Sequence, residues 1–358
     1  MSQKDISILP SARRHGHRVG GSERCSGSAK YYSVRRRVTC PPQLSHASRR
    51  LYPPPVNGML MTTRTGSERV GVIGLGTMGG SMAKHLLDSG YAVCGYDVRG
   101  DPVDALVAAG GEAAMSPAEM ASAVSVVITS LPSVAAFETV IGGDAGLAER
   151  ASPGLTVIET STLPLPVKQR AHDLLGGHGA ILLDCPLSGT GTQMRERDVA
   201  VYASGDADAI ERHRDVLASF SRSQFNVGGF GNGSRVKFIA NLLVTIHNAA
   251  AAEALLLARR AGLDLDTVFR AISDGAGTSR MLEVRGPLMI AGVYSEATMR
   301  VETHQKDIDI ILAFARELRC PTPLFMASAQ LYMAALAQGR GDQDTASVFA
   351  VLEGLLHQ

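Results

Sequence analysis

Tryptophan is missing from the 358 residues, and all aromatics together make up 5% of them. The core must therefore be mostly aliphatic. Cysteine is sparse as well. Cys25, Cys40, Cys94, Cys185 and Cys320 are odd in number and widely scattered, with no C-x-x-C and no Cys/His cluster. That pattern indicates neither a disulfide framework nor a zinc site, and no metal is expected. It fits a reducing compartment, so the expected location is cytoplasmic, or mitochondrial in a eukaryote. Long uninterrupted hydrophobic runs are lacking too. The most apolar stretch, residues 238–258, is broken by Asn241, His247, Asn248 and Glu253, and reads as a buried core helix rather than a membrane span. No membrane partner is expected. Acidic residues are nearly absent from the first sixty positions, which hold eleven Lys/Arg against two Asp/Glu. That balance of +9, set against +1 for the whole chain, leaves −8 for the remainder. The globular part is acidic, which speaks against a nucleic-acid footprint.

Length and composition suit a soluble protein of two domains. Residues 1–68 read as a disordered basic extension in which Arg13-Arg14, Arg35-Arg36-Arg37 and Arg49-Arg50 alternate with Ser, Gly and Pro. A start at Met59 or Met61, a transit peptide and a segment binding an anionic partner all remain open for it. From Val70 the pattern alternates strand and helix. Strands are expected at 70–74, 92–96, 125–130, 156–159, 180–183, 199–204 and 224–227, and helices at 78–89, 102–109, 133–140, 164–175 and 207–219. After Gly228-Gly229 every segment reads as helical, the first being 234–261. The expected fold class is α/β: a Rossmann-type doubly wound sheet over residues 69–229, then an all-α substrate and dimerisation domain over 230–358, joined by a long buried helix.

The first motif fixes the cofactor class. Val70-Gly71-Val72-Ile73 runs into Gly74-Leu75-Gly76-Thr77-Met78-Gly79, and Asp97 follows 18 residues after Gly79. Gly74 permits the strand-to-helix turn, Gly76 lets backbone approach a pyrophosphate, and Gly79 lets the helix pack close to the sheet. The helix N-terminus then offers free N–H groups to the phosphates. Asp97, ending the second strand, suits the adenosine ribose hydroxyls and favours NAD, while Arg99 keeps NADP open. Strand ends at Leu131-Pro132, at Thr160-Ser161-Thr162 and at 185–190 should border the same cleft. Thr162 could equally cap the following helix.

The second motif carries the chemistry. In residues 231–241, Ser234 can cap a helix on which Lys237 and Asn241 lie four apart, on one face. No Asp, Glu, Lys or Arg follows until Glu253, so this helix should be buried nearly all round. A lysine at its head is desolvated and near a positive helix end, which lowers its pKa. Such a lysine can exchange a proton with a hydroxyl while hydride moves. The competing reading is a first-turn lysine that snorkels to water.

With Asp184-Cys185-Pro186-Leu187-Ser188-Gly189 and Lys306-Asp307-Ile308, these motifs make the chain resemble the β-hydroxyacid dehydrogenase family over about residues 69–355. The family includes 3-hydroxyisobutyrate dehydrogenase, tartronate semialdehyde reductase and sugar-acid dehydrogenases. The resemblance implies an NAD(P)-dependent oxidoreductase of small hydroxy acids or sugar acids, in a homodimer or homotetramer. It implies catalysis by Lys237 and Asn241, which also bind substrate, carboxylate binding by Ser188, Gly189 and Thr190, and a cofactor contact from Lys306. Two residues depart from the family pattern. Thr190 replaces a glycine, which narrows the pocket floor or adds a hydroxyl, and Cys185 replaces an alanine. The polar segment Arg300-Val301-Glu302-Thr303-His304 is expected to be a loop that reads the distal hydroxyls of the substrate. The alternatives are an enzyme like 6-phosphogluconate dehydrogenase, although Ala240 stands where that enzyme has histidine, and a catalytically silent dinucleotide sensor. Imine reductases share the architecture but lack the lysine.

Overall fold

The computed structural model describes residues 68–356. The reading of residues 1–68 as a basic, disordered extension lies outside them but for Glu68. The first half runs β1 (Arg69–Ile73), α1 (Thr77–Asp88), β2 (Ala92–Tyr96), α2 (Gly100–Ala108), β3 (Glu112–Ala113), α3 (Pro117–Ala123), β4 (Val126–Thr129), α4 (Val134–Gly142), α5 (Leu147–Arg150), β5 (Thr156–Glu159), α6 (Leu165–Gly177) and β6 (Ile181–Asp184). All six strands are parallel, in the order β3-β2-β1-β4-β5-β6. The order reverses between β1 and β4, which opens a crevice at their carboxyl ends. Central strands such as Val126–Thr129 are buried on both faces, as a sheet covered by helices requires. Val72, Met82, Leu86, Val126 and Ile128 pack one face, and Ile73, Val127, Phe137, Val157 and Leu175 pack the other.

The next elements are β7 (Leu187–Ser188), α7 (Gly191–Arg195), β8 (Ala200–Ala203), α8 (Ala207–Arg212), α9 (Arg214–Phe220) and β9 (Ser223–Asn226). The strands expected at 199–204 and 224–227 do not extend the main sheet. They form a separate three-stranded sheet, β7-β8-β9, with β7 antiparallel to β8. The single helix expected at 207–219 is two, divided at His213.

From residue 232 the described chain is helical: α10 (Asn232–Arg260), α11 (Leu265–Ser273), α12 (Arg280–Ala291), α13 (Val301–Glu317), α14 (Pro323–Ala337), a 3-10 turn (Thr345–Ser347) and α15 (Val348–Gly354). Phe238, Ala252, Leu255, Ile308, Phe325, Tyr332 and Phe349 form its core. By length and composition α10 could cross a membrane, yet Lys237, Asn241, Thr245 and Asn248 all face the protein interior. The helix is not buried all round as expected. Ile239 (58% exposed), Leu243 and Leu257 (72% exposed) leave one face open.

Candidate active site

The glycine turn is shaped by close approach. Gly74 has φ +86° and donates its N–H to Tyr96 O at 2.9 Å. A Cβ at Gly79 would lie 1.8 Å from Gly74 O, so only glycine lets α1 sit this close to the turn. Gly76 differs, since a Cβ there meets nothing within 4 Å. That space adjoins the start of α1, where no side chain caps the helix. An open cradle beside uncapped N–H groups fits a dinucleotide pyrophosphate. Asp97 accepts from Leu75 N at 2.8 Å and from Arg99 N at 3.0 Å, so its carboxylate also fastens the turn to the end of β2. Thr77 reaches across, its Cγ2 2.6 Å from where a Cβ on Gly191 would stand.

The loops after β4 and β5 are tied together, because Leu131 N donates to Ser161 Oγ at 2.8 Å. Pro132 stands exposed beside it. The hydroxyl of Thr162 does not cap α6, whose N-cap is Pro164 without a side-chain bond. The Thr162 carbonyl instead accepts from Lys306 Nζ at 2.9 Å, a bond that spans from the helical half to the sheet half. Beside it, Val134, Leu163, Pro164, Lys306 and Leu336 line a hollow of about 380 Å³.

The start of α10 is built against the sheet. Gly231 takes the left-handed conformation (φ +86°) at the N-cap, and the helix begins at Asn232, two residues earlier than expected. A Cβ at Gly233 would lie 2.4 Å from Tyr202 O and 2.5 Å from Asp184 O. Ser234 is not the cap. Its N–H and hydroxyl donate to the two oxygens of Asp184, at 2.7 and 2.8 Å. One turn on, Lys237 is buried, and its ammonium forms no hydrogen bond or ion pair among the described residues. The snorkelling alternative therefore fails. Burial pushes the Lys237 pKa down, Asp307 opposes this, and Lys306 adds to it. Asn241 donates through Nδ2 to Asp307 Oδ2 at 2.8 Å, and Lys306 Nζ lies 3.6 Å from Asp307 Oδ1. Burial pushes the Asp307 carboxyl up against the pull of both lysines. Asp307 thus joins Lys237, Asn241 and Lys306 in one electrostatic unit. Its sequence signal was slight, since a Lys-Asp pair on a helix reads as a surface pair.

The polar face of α10 continues inward. Thr245 gives its proton to Asn241 O at 2.8 Å, so the hydrogen between it and His304 Nε2, 2.9 Å away, comes from the imidazole. His304 is committed there. Desolvation, with Arg285 and Lys237 nearby, pushes it down to about 3. This corrects the expectation for residues 300–304. The segment is the N-cap and first turn of α13 rather than a loop, and Arg300, Glu302 and Thr303 are exposed.

Ser188 and Gly189 are partly buried at the end of β7, and Gly189 (φ +150°) packs against Val199. The hydroxyl of Thr190 is engaged by its own helix. It accepts from Gln193 N at 3.4 Å while Gln193 Oε1 accepts from Thr190 N at 3.0 Å, a capping box for α7. The Thr190 oxygen is thus used as an acceptor, while its O–H proton is donated to no group among the described residues, so both added bulk and a hydroxyl donor fit this geometry. Cys185 is fully buried, and burial beside Asp184 pushes its thiol up, which makes it an inert packing residue.

Residues 69–229 match the family model described as the NAD binding domain of 6-phosphogluconate dehydrogenase. Residues 231–352 match the one described as NAD-binding of NADP-dependent 3-hydroxyisobutyrate dehydrogenase. The L-threonate dehydrogenase of Cupriavidus necator is 35% identical over 290 residues, covering 81% of this chain and 97% of that protein. The chain belongs to the β-hydroxyacid dehydrogenase family. It is accordingly an NAD(P)-dependent oxidoreductase of the kind that acts on hydroxyl groups of small hydroxy acids. The 3-sulfolactaldehyde reductase of Escherichia coli K12 is 32% identical over 281 residues, covering 78% of this dehydrogenase and 94% of the relative. Among solved structures, a 3-hydroxyisobutyrate dehydrogenase from Salmonella typhimurium superposes with a TM-score of 0.72 at 31% identity, covering 80% of this chain and all of the other. The resemblance and the fold class read from the sequence are borne out. The 6-phosphogluconate dehydrogenase name attaches to the first half alone, which leaves that alternative less supported, as is the silent sensor.

Proposed function

We propose that this dehydrogenase transfers hydride between nicotinamide and the hydroxyl carbon of a small hydroxy acid or aldonate, with Lys237 as general acid and base. The observation that carries the reading is Lys237 itself: a buried, unpaired amine, its pKa lowered by burial, one turn from the sheet edge and beside Asp307. When bound, a nicotinamide would supply the hydride acceptor for oxidation and the hydride donor for reduction. The neutral Lys237 amine takes the hydroxyl proton, and in reduction its ammonium returns it. Asn241, its amide nitrogen held by Asp307, keeps its oxygen free to accept from a substrate hydroxyl. Ser188, Gly189 and Thr190 receive the substrate carboxylate. Gly74, Leu75, Gly76, Thr77, Met78 and Gly79 would hold the pyrophosphate, and Leu131, Pro132, Thr162 and Lys306 would complete the cofactor contacts. Asp97 favours NAD over NADP, because a carboxylate repels a 2′-phosphate.

L-Threonate is the first substrate to test, since several relatives carry that activity in their names. The open apolar face of α10, with Ile239 and Leu243 four residues apart, supports a homodimer or homotetramer. The free thiols of Cys94, Cys185 and Cys320 support a cytoplasmic location. The test is the near-ultraviolet absorbance of reduced nicotinamide over a panel of hydroxy acids. Lys237→Ala should lose turnover by on the order of a hundredfold to ten-thousandfold while NAD affinity holds. A fully active Lys237→Ala enzyme overturns the mechanism. NAD binding without turnover of any panel member returns the protein to the sensor reading.

A further inference from the structure

Beneath the candidate site lies a charged cluster that the chemistry above does not use. Lys168 on α6, Glu159 at the end of β5 and Asp184 at the end of β6 are all 0% exposed. Lys168 Nζ donates to Asp184 Oδ1 and to Ser161 O, each at 2.7 Å, and stands 3.9 Å from Glu159 Oε1. Glu159 in turn accepts from Ser161 N at 2.6 Å and from the Thr129 hydroxyl. Each partner of Lys168 belongs to a segment that borders the cleft. Ser161 heads the loop after β5 and holds Leu131 of the loop after β4. Asp184 precedes the Cys185–Ser188 strip and binds Ser234, whose helix carries Lys237.

Burying an ammonium with two carboxylates costs more than filling the same space with apolar side chains. Stability alone does not explain the lysine. Its geometry does, because one three-donor group joins loops from three strands to the first turn of α10.

We propose that Lys168 is a positioning residue: through Asp184 and Ser161 it sets where the first turns of α10, and hence Lys237, stand against the cofactor loops. The proposal rests on the reading of Lys237 as the proton-transfer group. Misplacement by about an ångström at a reacting centre costs on the order of a hundredfold in rate. A loosened helix start also admits more water around Lys237, whose charged neighbours among the described residues are Asp307 and Lys306 of α13, with neutral His304 close by.

The test uses the full chain carrying Lys168→Met with Glu159→Gln. This pair of changes leaves the formal charge of the cluster unaltered and introduces no new buried ion. Lys168→Arg, alone, serves as the conservative variant. In the double variant kcat should fall on the order of tenfold to a hundredfold, with KM and NAD affinity within about twofold of the parent. The acidic limb of the kcat/KM profile for oxidation should move to higher pH. Amide exchange in a peptide spanning residues 230–241 should quicken. Lys168→Arg should restore part of each. A folded double variant with unchanged kcat, pH profile and exchange overturns the proposal. So does a fall confined to NAD affinity. Should Lys237→Ala prove active, the catalytic reading fails by that result. Exchange at residues 230–241 still decides, independently of turnover, whether Lys168 holds the helix start.

Discussion

Two glycines of the same turn should respond oppositely to the same methyl group. At Gly79 an added Cβ would fall 1.8 Å from a backbone oxygen, where real contacts are essentially never under 3.0 Å. Helix α1 must back away by more than 1 Å, and neither the turn nor the sheet beneath it can follow cheaply. Overpacking of this kind costs about 1–3 kcal/mol. In a domain of this size that lowers Tm by several degrees, about 2–4 °C for each kcal/mol. At Gly76 the backbone is already extended (φ −66°, ψ −163°), and the new Cβ meets open space. Gly76→Ala should therefore keep its stability to within about 1 kcal/mol. The space it fills is the one assigned to the pyrophosphate, so NAD affinity should drop at least about tenfold, or ~1.4 kcal/mol. Thermal denaturation and NAD titration of the two variants side by side make the test. A Gly76→Ala protein that binds NAD like the parent refutes the placement of the cofactor. A Gly79→Ala protein that melts like the parent refutes the packing argument.

Asp307→Asn removes the carboxylate that holds the Lys237 pKa up. Oxidation needs the neutral amine, so the acidic limb of kcat/KM should move to lower pH, opposite to the Lys168 variant; a limb that stays or rises contradicts the assignment. His304, buried and pushed down to about 3 from an ordinary value near 6.5, stays neutral in the fold while the unfolded chain takes up a proton. Stability should thus fall as pH drops through about 6.5 and keep falling toward about 3, with about 2 kcal/mol lost between pH 7 and pH 5. His304→Gln should abolish that share of the loss in urea unfolding followed across this range, and parallel curves for the two proteins would sink the idea. His213, pushed down to about 4, acts in the same direction but is present in both proteins and cancels.

The long parallel strands and helices were legible because each carries its own period and its own punctuation. What the sequence hid was short or non-local. Strands β3 and β7 are two residues each, and α5 is four, too brief for any periodicity to register. Pairing partners are not written in a strand either, so β8 and β9 looked like further members of the main sheet. Spacing found Lys237 and Asn241, since four residues on one helix is a local relation. Asp307 stands in the Lys306-Asp307-Ile308 motif, but its bond to Asn241 spans 66 residues and no local pattern marks it. Lys168 lies in the polar run Lys168-Gln169-Arg170, which carries no local mark of burial. Its burial is decided by Asp184 and Ser161, which no window around it contains.

The joint between Ser234 and Asp184 also bears on the order in which the molecule is made. Synthesis runs from the N-terminus, and Asp184 emerges 50 residues ahead of the serine that needs it. The sheet can therefore stand ready with its acceptor before the long helix leaves the ribosome. The reverse does not hold. A fragment begun at residue 231 would expose the N–H groups of Gly233 and Ser234, which the whole chain satisfies from Ser204 and Asp184. The second half is thus a client of the first during biogenesis, although it has a hydrophobic core of its own.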